Sequence, residues 1–272
     1  MKKKISIIFS VTIFLVLSIH FYKKYQNEFL LVFIDKCQIE KINYIPQNSS
    51  LIVGHAYGSP NSSNHLITEK IKNLIIENKF KEIIFTGDVI KSPNKKKWQE
   101  LKDFFDKNKT NFFISPGNHD VGIGKDNSLY DIYKNSEIKP QKFPYILDTN
   151  NFLIVIENTS TNYWKLSEET LRLILKNNNA QNLLVLTHHI IVKDLIKFAN
   201  SKHGKPKKLY NFNKFKDYDF TIISGDSGAF ESLPRIGCFQ KNKFKYIFNG
   251  IGEIKNDKVI ILNNGKIFSY EI

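Results

Sequence analysis

Five times between residues 51 and 226, a short apolar run stops at a histidine, an aspartate or an asparagine. LIVG (51–54) leads to His55 and KEIIFTG (81–87) to Asp88. NFFISPG (111–117) leads to Asn118, His119 and Asp120, NLLVLT (182–187) to His188 and His189, and DFTIISG (219–225) to Asp226. Apolar runs of about 4–8 residues bounded by turn residues read as buried strands. The segments between them read as helices. TEKIKNLIIENK (68–79) places Ile71, Leu74 and Ile75 on one face behind a capping Thr68, and 96–107 and 166–178 follow suit, the last with Ser167 as its cap. Strand–helix alternation of this kind predicts an α/β domain. In open α/β sheets ligands bind where strands end, because neighbouring strands deliver side chains to one crevice. Four of the five polar groups follow a glycine, as a sharp turn in a crowded site requires.

Carboxylates, imidazoles and a side-chain amide together suit Mn, Fe or Zn better than Ca or Mg, which prefer all-oxygen shells. One or two such ions polarise a phosphoryl oxygen and generate hydroxide from water. Read singly, each of these residues is better explained as a satisfied cap or turn; the repetition at five strand ends is what argues for a site.

As a set, TGD (86–88), GNHD (117–120) and VLTHH (185–189) resemble the calcineurin-like metallophosphoesterase family, and the resemblance runs from about residue 50 to the C-terminus. It implies two packed mixed β-sheets flanked by helices. It implies that Asp88 bridges two metals and that Asn118 and His188 bind the second; Asp226 and His55, standing at the last and first motif positions, would complete the second site and serve the first. His119 would act at the leaving group as general acid or charge stabiliser, oriented by Asp120. Tyr57 and His189 are secondary ligand candidates; His189 is disfavoured because adjacent strand residues face opposite ways. The first and last motifs depart from the family. His55-Ala56-Tyr57 stands where Asp-x-His is usual, and Gly225-Asp226-Ser227-Gly228 where Gly-His-x-His is usual. The exchange conserves charge but removes ligands, since Gly228 has no side chain and Tyr57 ligates only when ionised. Glu157 and His65 are further candidates for the missing ligand, and Tyr57, Ser59 and Asn61 for the substrate side. A two-metal centre, a one-metal hydrolase and a binding protein without turnover all remain open; retention of His119 and Asp120 favours hydrolysis of a phosphoester.

Paired strands are expected at 143–148 and 151–158, and β-hairpins in the tail, where Asn264-Gly265 is a two-residue turn signal. Residues 50–272 then form one domain. Upstream, Lys2–Lys4 precede an apolar stretch, ISIIFSVTIFLVLSIHFY (5–22), with no A-x-A-like cleavage triplet after it. This reads as an uncleaved signal anchor, a single N-terminal transmembrane helix with residues 1–4 in the cytoplasm and the main domain outside it. The alternative is a secreted or periplasmic domain after signal cleavage. Residues 23–49 read as a linker and packing segment containing FLLVFI (29–34). The net charge of +14 invites a polyanion or membrane-surface partner, yet of 40 basic residues only Arg172 and Arg235 are arginine. Surfaces that read bases or clamp phosphates favour arginine's planar fork, so the composition argues against nucleic acid. A lysine-driven membrane-surface binder stays as the alternative from another class. Cys37 and Cys238 match no metal spacing and are either bonded or two free thiols. The oligomeric state is not legible.

Overall fold

The computed structural model describes residues 35–138, 142–176, 182–193, 195, 210–230, 233–253 and 256–272. The expected anchor (5–22) and the FLLVFI patch lie outside these. Among the described residues no helix is long and apolar enough to cross a membrane.

Thirteen strands are described: β1 Asp35–Cys37, β2 Glu40–Ile42, β3 Ser50–Val53, β4 Glu82–Phe85, β5 Asn111–Ile114, β6 Tyr145–Thr149, β7 Phe152–Ile156, β8 Leu183–Thr187, β9 Thr221–Ser224, β10 Ile236–Lys241, β11 Phe244–Asn249, β12 Lys258–Asn263 and β13 Lys266–Glu271. They form two mixed sheets, ordered β2-β13-β12-β3-β4-β5 and β1-β10-β11-β9-β8-β7-β6. β3, β4 and β5 run parallel in the first sheet, and β7, β8, β9 and β11 in the second. The folded unit spans Lys36–Ile272 and so takes in β2, upstream of residue 50. The α/β architecture of two mixed sheets with helices is the one the sequence led us to expect.

Strand periodicity assigns the layers. Side chains alternate across a strand, so each face of a sheet takes every second residue. Ile52 and Ile84 join Ile154, Ile156, Leu184, Leu186 and Ile223 in the apolar layer shared by the two sheets. Their neighbours Leu51, Val53, Ile83 and Phe85 pack on the other face against Ile71, Leu74, Trp98, Leu101 and Phe105. Those partners belong to helices α1 (Glu69–Glu77) and α2 (Lys95–Lys107). The caps are the expected type: Thr68 Oγ1 accepts from Ile71 N, and Asn94 Oδ1 from Lys97 N at 2.9 Å. Two short helices escape the sequence reading, α3 (Asn118–Val121) and α4 (Ser128–Lys134). Helix α5 (Glu168–Lys176) starts at Ser167, whose hydroxyl accepts from Thr170 N at 3.1 Å.

The paired strands at 143–158 are β6 and β7, antiparallel, turning at Asn150-Asn151, both with positive φ. Asn264 and Gly265 likewise turn β12 into β13 with φ of 47° and 74°, the backbone that a two-residue hairpin needs. Cys37 on β1 and Cys238 on β10 are bonded to each other, which settles the pairing left open by the sequence.

Candidate metal centre

All five motif positions sit just beyond the carboxyl ends of β3, β4, β5, β8 and β9. Three belong to one sheet and two to the other, so they meet only if the sheets touch there. Glycine permits the contact. A Cβ on Gly225 would lie 1.7 Å from the Thr86 carbonyl oxygen, and one on Gly117 would lie 2.0 Å from Asp88 Oδ1. Backbone and carboxylate occupy space that any side chain at these positions would need.

His55 and Asp88 both adopt left-handed backbone, with φ of 52° and 53°. Such conformations cost of order 1 kcal/mol for non-glycine residues and persist where the surroundings over-determine them. Here His55 N donates to Gly87 O at 3.0 Å and Tyr57 N to Asp88 O at 3.2 Å, which locks the two turns together.

The donors converge. His55 Nε2 lies 3.3 Å from Asp88 Oδ2. His188 Nε2 lies 3.4 Å from Asp88 Oδ1, 3.6 Å from Asp226 Oδ1 and 3.2 Å from Asn118 Oδ1. Ligand atoms of His55, Asp88 and Asp226 all fall within 4.8 Å of one another. Cis donors around a first-row ion with bonds near 2.1 Å stand about 3–3.5 Å apart, so these separations match the edges of a coordination shell.

Both imidazoles are aimed by carbonyls, which only accept, so the nitrogen facing each carbonyl carries the proton. His188 Nδ1 donates to Thr86 O at 3.0 Å and His55 Nδ1 donates to Gly58 O. His55 Nε2 therefore turns a lone pair toward the Asp88 carboxylate. Burial lowers the His55 pKa to about 4 despite the pull of Asp88, so the ring is neutral. Its buried Nε2 has no hydrogen-bond partner. A lone pair facing a carboxylate is repulsive, and a cation between them removes the repulsion; the donor set fits a divalent transition ion.

Burial by itself lowers His188, but Asp88 and then Asp226 hold it above the usual imidazole range. Burial works against Asp88 ionisation too, yet His188 and His55 keep that carboxyl below its ordinary value. Burial raises Asp226 to about 7 and, with Asp88, raises Asp120 to about 6.

Several expectations need correction. Asp120 does not orient His119: its Oδ1 accepts from Val89 N and Ile90 N, both at 2.9 Å, and its Oδ2 from Gly117 N at 2.9 Å. It ties the GNHD turn to the chain after Asp88. His119 is oriented instead by the Lys91 carbonyl, which accepts from Nδ1 at 3.1 Å, while His119 N donates to Asp88 Oδ1 at 3.1 Å. Tyr57 is fully buried rather than lining a substrate path, and burial keeps its phenol protonated, which removes the ionised form that would ligate. Ser59 is half-buried and its hydroxyl accepts from Asn61 N, while Asn61 is exposed. His189 faces away from the donors, stacked on Trp164 at 4.3 Å with Nδ1 3.1 Å from Thr159 Oγ1. Glu157 is committed to the start of α5, accepting from Ser167 N at 2.7 Å and Thr170 Oγ1 at 2.6 Å. His65 is exposed.

The sequence reading missed the carbonyls of Gly58, Thr86 and Lys91, because any residue supplies a carbonyl. It also missed Arg235, whose guanidinium donates from one nitrogen to Ser227 O and Gly228 O, both at 2.9 Å, and braces the turn carrying Asp226. Its rarity among 40 basic residues was the available signal.

No curated protein matches this chain. Among solved structures it is similar to Vacuolar Protein Sorting 29 from Cryptosporidium parvum, at 16% identity and a TM-score of 0.35, covering 82% of this chain and 95% of that one. The profile of the calcineurin-like phosphoesterase family matches residues 55–250, from His55 on the first motif to the end of β11. The chain belongs to the calcineurin-like phosphoesterase family.

Proposed function

We propose that the chain is a metal-dependent phosphoester hydrolase. The observation that supports this reading is the convergence of His55, Asp88 and Asp226 ligand atoms within 4.8 Å, with His188 and Asn118 beside them. Asp88 stands between the two imidazoles, and with Asp226, Asn118 and His188 it would hold one or two ions of Mn, Fe or Zn. The bound metal supplies a Lewis acid and water of lowered pKa for in-line attack on phosphorus. His119, fixed through Nδ1 on the Lys91 carbonyl, presents Nε2 to hand a proton to the departing alcohol oxygen. Asp120 keeps the His119 turn and the Asp88 turn in register through its three backbone hydrogen bonds.

The test is metal content of the purified protein together with manganese-supported hydrolysis of 4-nitrophenyl phosphate and bis(4-nitrophenyl) phosphate. Asp88→Asn is expected to lose bound metal and at least about 100-fold in rate, and His119→Ala to keep metal while losing about 10²–10⁴ in kcat. Unchanged hydrolysis in both variants overturns the assignment. The depleted first and last motifs favour a second reading, a binding protein that takes a phosphorylated ligand without turnover; metal bound with no release from either ester identifies it.

We further propose that residues 5–22 anchor the protein and that the domain faces away from the cytoplasm. The Cys37–Cys238 bond supports this, because disulfides persist in oxidising compartments. Protection of a C-terminal epitope from protease added to cells stripped of any wall or outer membrane, with the inner membrane intact, refutes it.

A further inference from the structure

The first motif opens into a loop that closes on itself. Thr68 N donates to Ala56 O at 2.9 Å, which joins the two ends of residues 57–67. Within it Ser62 N donates to Ser59 O at 2.8 Å, Asn61 N to Ser59 Oγ at 3.2 Å and Asn64 N to Ser62 Oγ at 2.9 Å. Compact loops whose ends meet and whose own groups bond one another move as a body and are frequently functional. Gly58 belongs to this body, and its carbonyl is the acceptor that aims His55 Nδ1. The placement of the loop therefore sets the direction of the Nε2 lone pair offered to a cation.

Two bonds fasten this loop to the chain that follows Asp88, and Lys91 supplies both. Lys91 N donates to His65 O at 3.2 Å, and Lys91 Nζ donates to Ser62 O. A different segment adds Glu253 Oε1, which accepts from Asn64 Nδ2 at 2.5 Å. Lys91 itself stands on a fixed frame. Asp120 Oδ1 accepts from Val89 N and Ile90 N, both at 2.9 Å, and Lys91 O accepts from His119 Nδ1 at 3.1 Å. An ammonium on a carbonyl is a charge-assisted bond, roughly twice as strong as a neutral one. Lys91 is half-buried, so the bond is screened less than a pair in open solvent. Lysines on the helix surfaces behave differently: Lys72 pairs with Glu69 and Lys102 with Asp106, each one turn away. Lys91 reaches back 29 residues to a separate loop.

We propose that Lys91 is a positioning residue of the metal centre: its ammonium pins the 57–67 loop, and through the Gly58 carbonyl that loop holds His55 Nε2 on the ion. The inference rests on the metal-holding part of the reading above and not on turnover. The Lys91 main chain already steadies His119, so one residue serves a metal donor with its side chain and the proton donor with its backbone. Lys91→Met keeps the apolar stem and the carbonyl and removes only the ammonium.

The test is calorimetric titration of the full-length, metal-free protein with manganese. Lys91→Met is expected to weaken binding about tenfold, as loss of an outer partner of a ligand does. Lys91→Arg keeps a cationic donor and should stay within about threefold of the parent. In a His55→Ala background Lys91→Met should cost nothing further, because it acts through that imidazole. With cobalt bound, the visible spectrum of Lys91→Met should move toward that of His55→Ala, a change of ligand geometry that a lowered Tm alone does not produce. Unchanged affinity in Lys91→Met, or an equal loss that persists without His55, overturns the inference. If Lys91→Met does not fold, Lys91→Gln keeps a neutral donor and is judged by the same His55→Ala comparison, with a loss of about threefold expected. Metal bound with no ester cleaved defeats the hydrolase reading and leaves these titrations to decide Lys91; a parent that binds no manganese defeats both.

Discussion

Gly228 is where the departure from the family is most physically constrained, and Gly228→Ala tests the construction of the site. A Cβ there would lie 2.3 Å from the Ile251 carbonyl oxygen, 2.6 Å from His55 Cβ and 2.7 Å from His55 Cγ, whereas ordinary contact is 3.4–4 Å. Relief needs a shift of about 1 Å. Ile251 is not free to give it, because Ile251 N is bonded to Gly54 O at 3.0 Å at the end of β3. His55 is held by its own backbone bond to Gly87 O at 3.0 Å. The volume that a ligand at position 228 would occupy is therefore filled by the first-motif imidazole, and one methyl group forces the two apart. Overpacking of a buried site by a single carbon costs about 2 kcal/mol, which for a domain of this size lowers Tm by about 4–8 °C. Displacing His55 also disturbs one of the donors, and misdirected ligands cost about 10–100-fold in metal affinity. Thermal melts in EDTA read the first effect, and calorimetric titration with manganese or zinc reads the second. A variant that melts within about 1 °C of the parent and binds metal within twofold would refute the claim that His55 and Gly228 compete for one space.

Three further outcomes are expected. Arg235→Lys keeps the charge but cannot span the Ser227 and Gly228 carbonyls, so calorimetry should show metal binding weakened about fivefold, the equivalent of one lost hydrogen bond of about 1 kcal/mol; unchanged affinity refutes its bracing role. Asp226, raised to about 7, and His188, also raised, keep protons that compete with the cation, so metal affinity should fall as pH drops through about 7 and level off above it, while His55 at about 4 adds no dependence above pH 5; a flat profile between pH 5.5 and 7.5 refutes this. Replacing Cys37 and Cys238 by serine releases a link across 201 residues, for which chain entropy gives up to about 5 kcal/mol of stability; a denaturant midpoint unchanged in the double variant would contradict it.

How much was legible follows from what each kind of interaction demands of residue identity. Strands β3, β4, β8 and β9 were readable because burial on both faces demands unbroken apolar runs, and their termini because metal-capable side chains are few. The short α3 and α4 were not, since their seven or fewer residues carry too little periodicity. The partner of His119 was misread for a different reason. The family resemblance implied that Asp120 orients it, but the turn at Gly117 directs that carboxylate onto the backbone amides of Val89 and Ile90, and Lys91 supplies the carbonyl instead.

The amino-acid sequence by itself determined the layered α/β class, the order of the donor residues and the chemistry they favour, because apolar period and side-chain type are local properties. Tertiary structure alone decided that Cys37 meets Cys238, that Glu157 serves a helix start rather than a metal, that Tyr57 is interior, and that Asp226 lies within reach of both His55 and His188. Those outcomes depend on which backbones come close enough to touch, and closeness between segments distant in the chain is set by how two sheets pack, not by the residues of either segment.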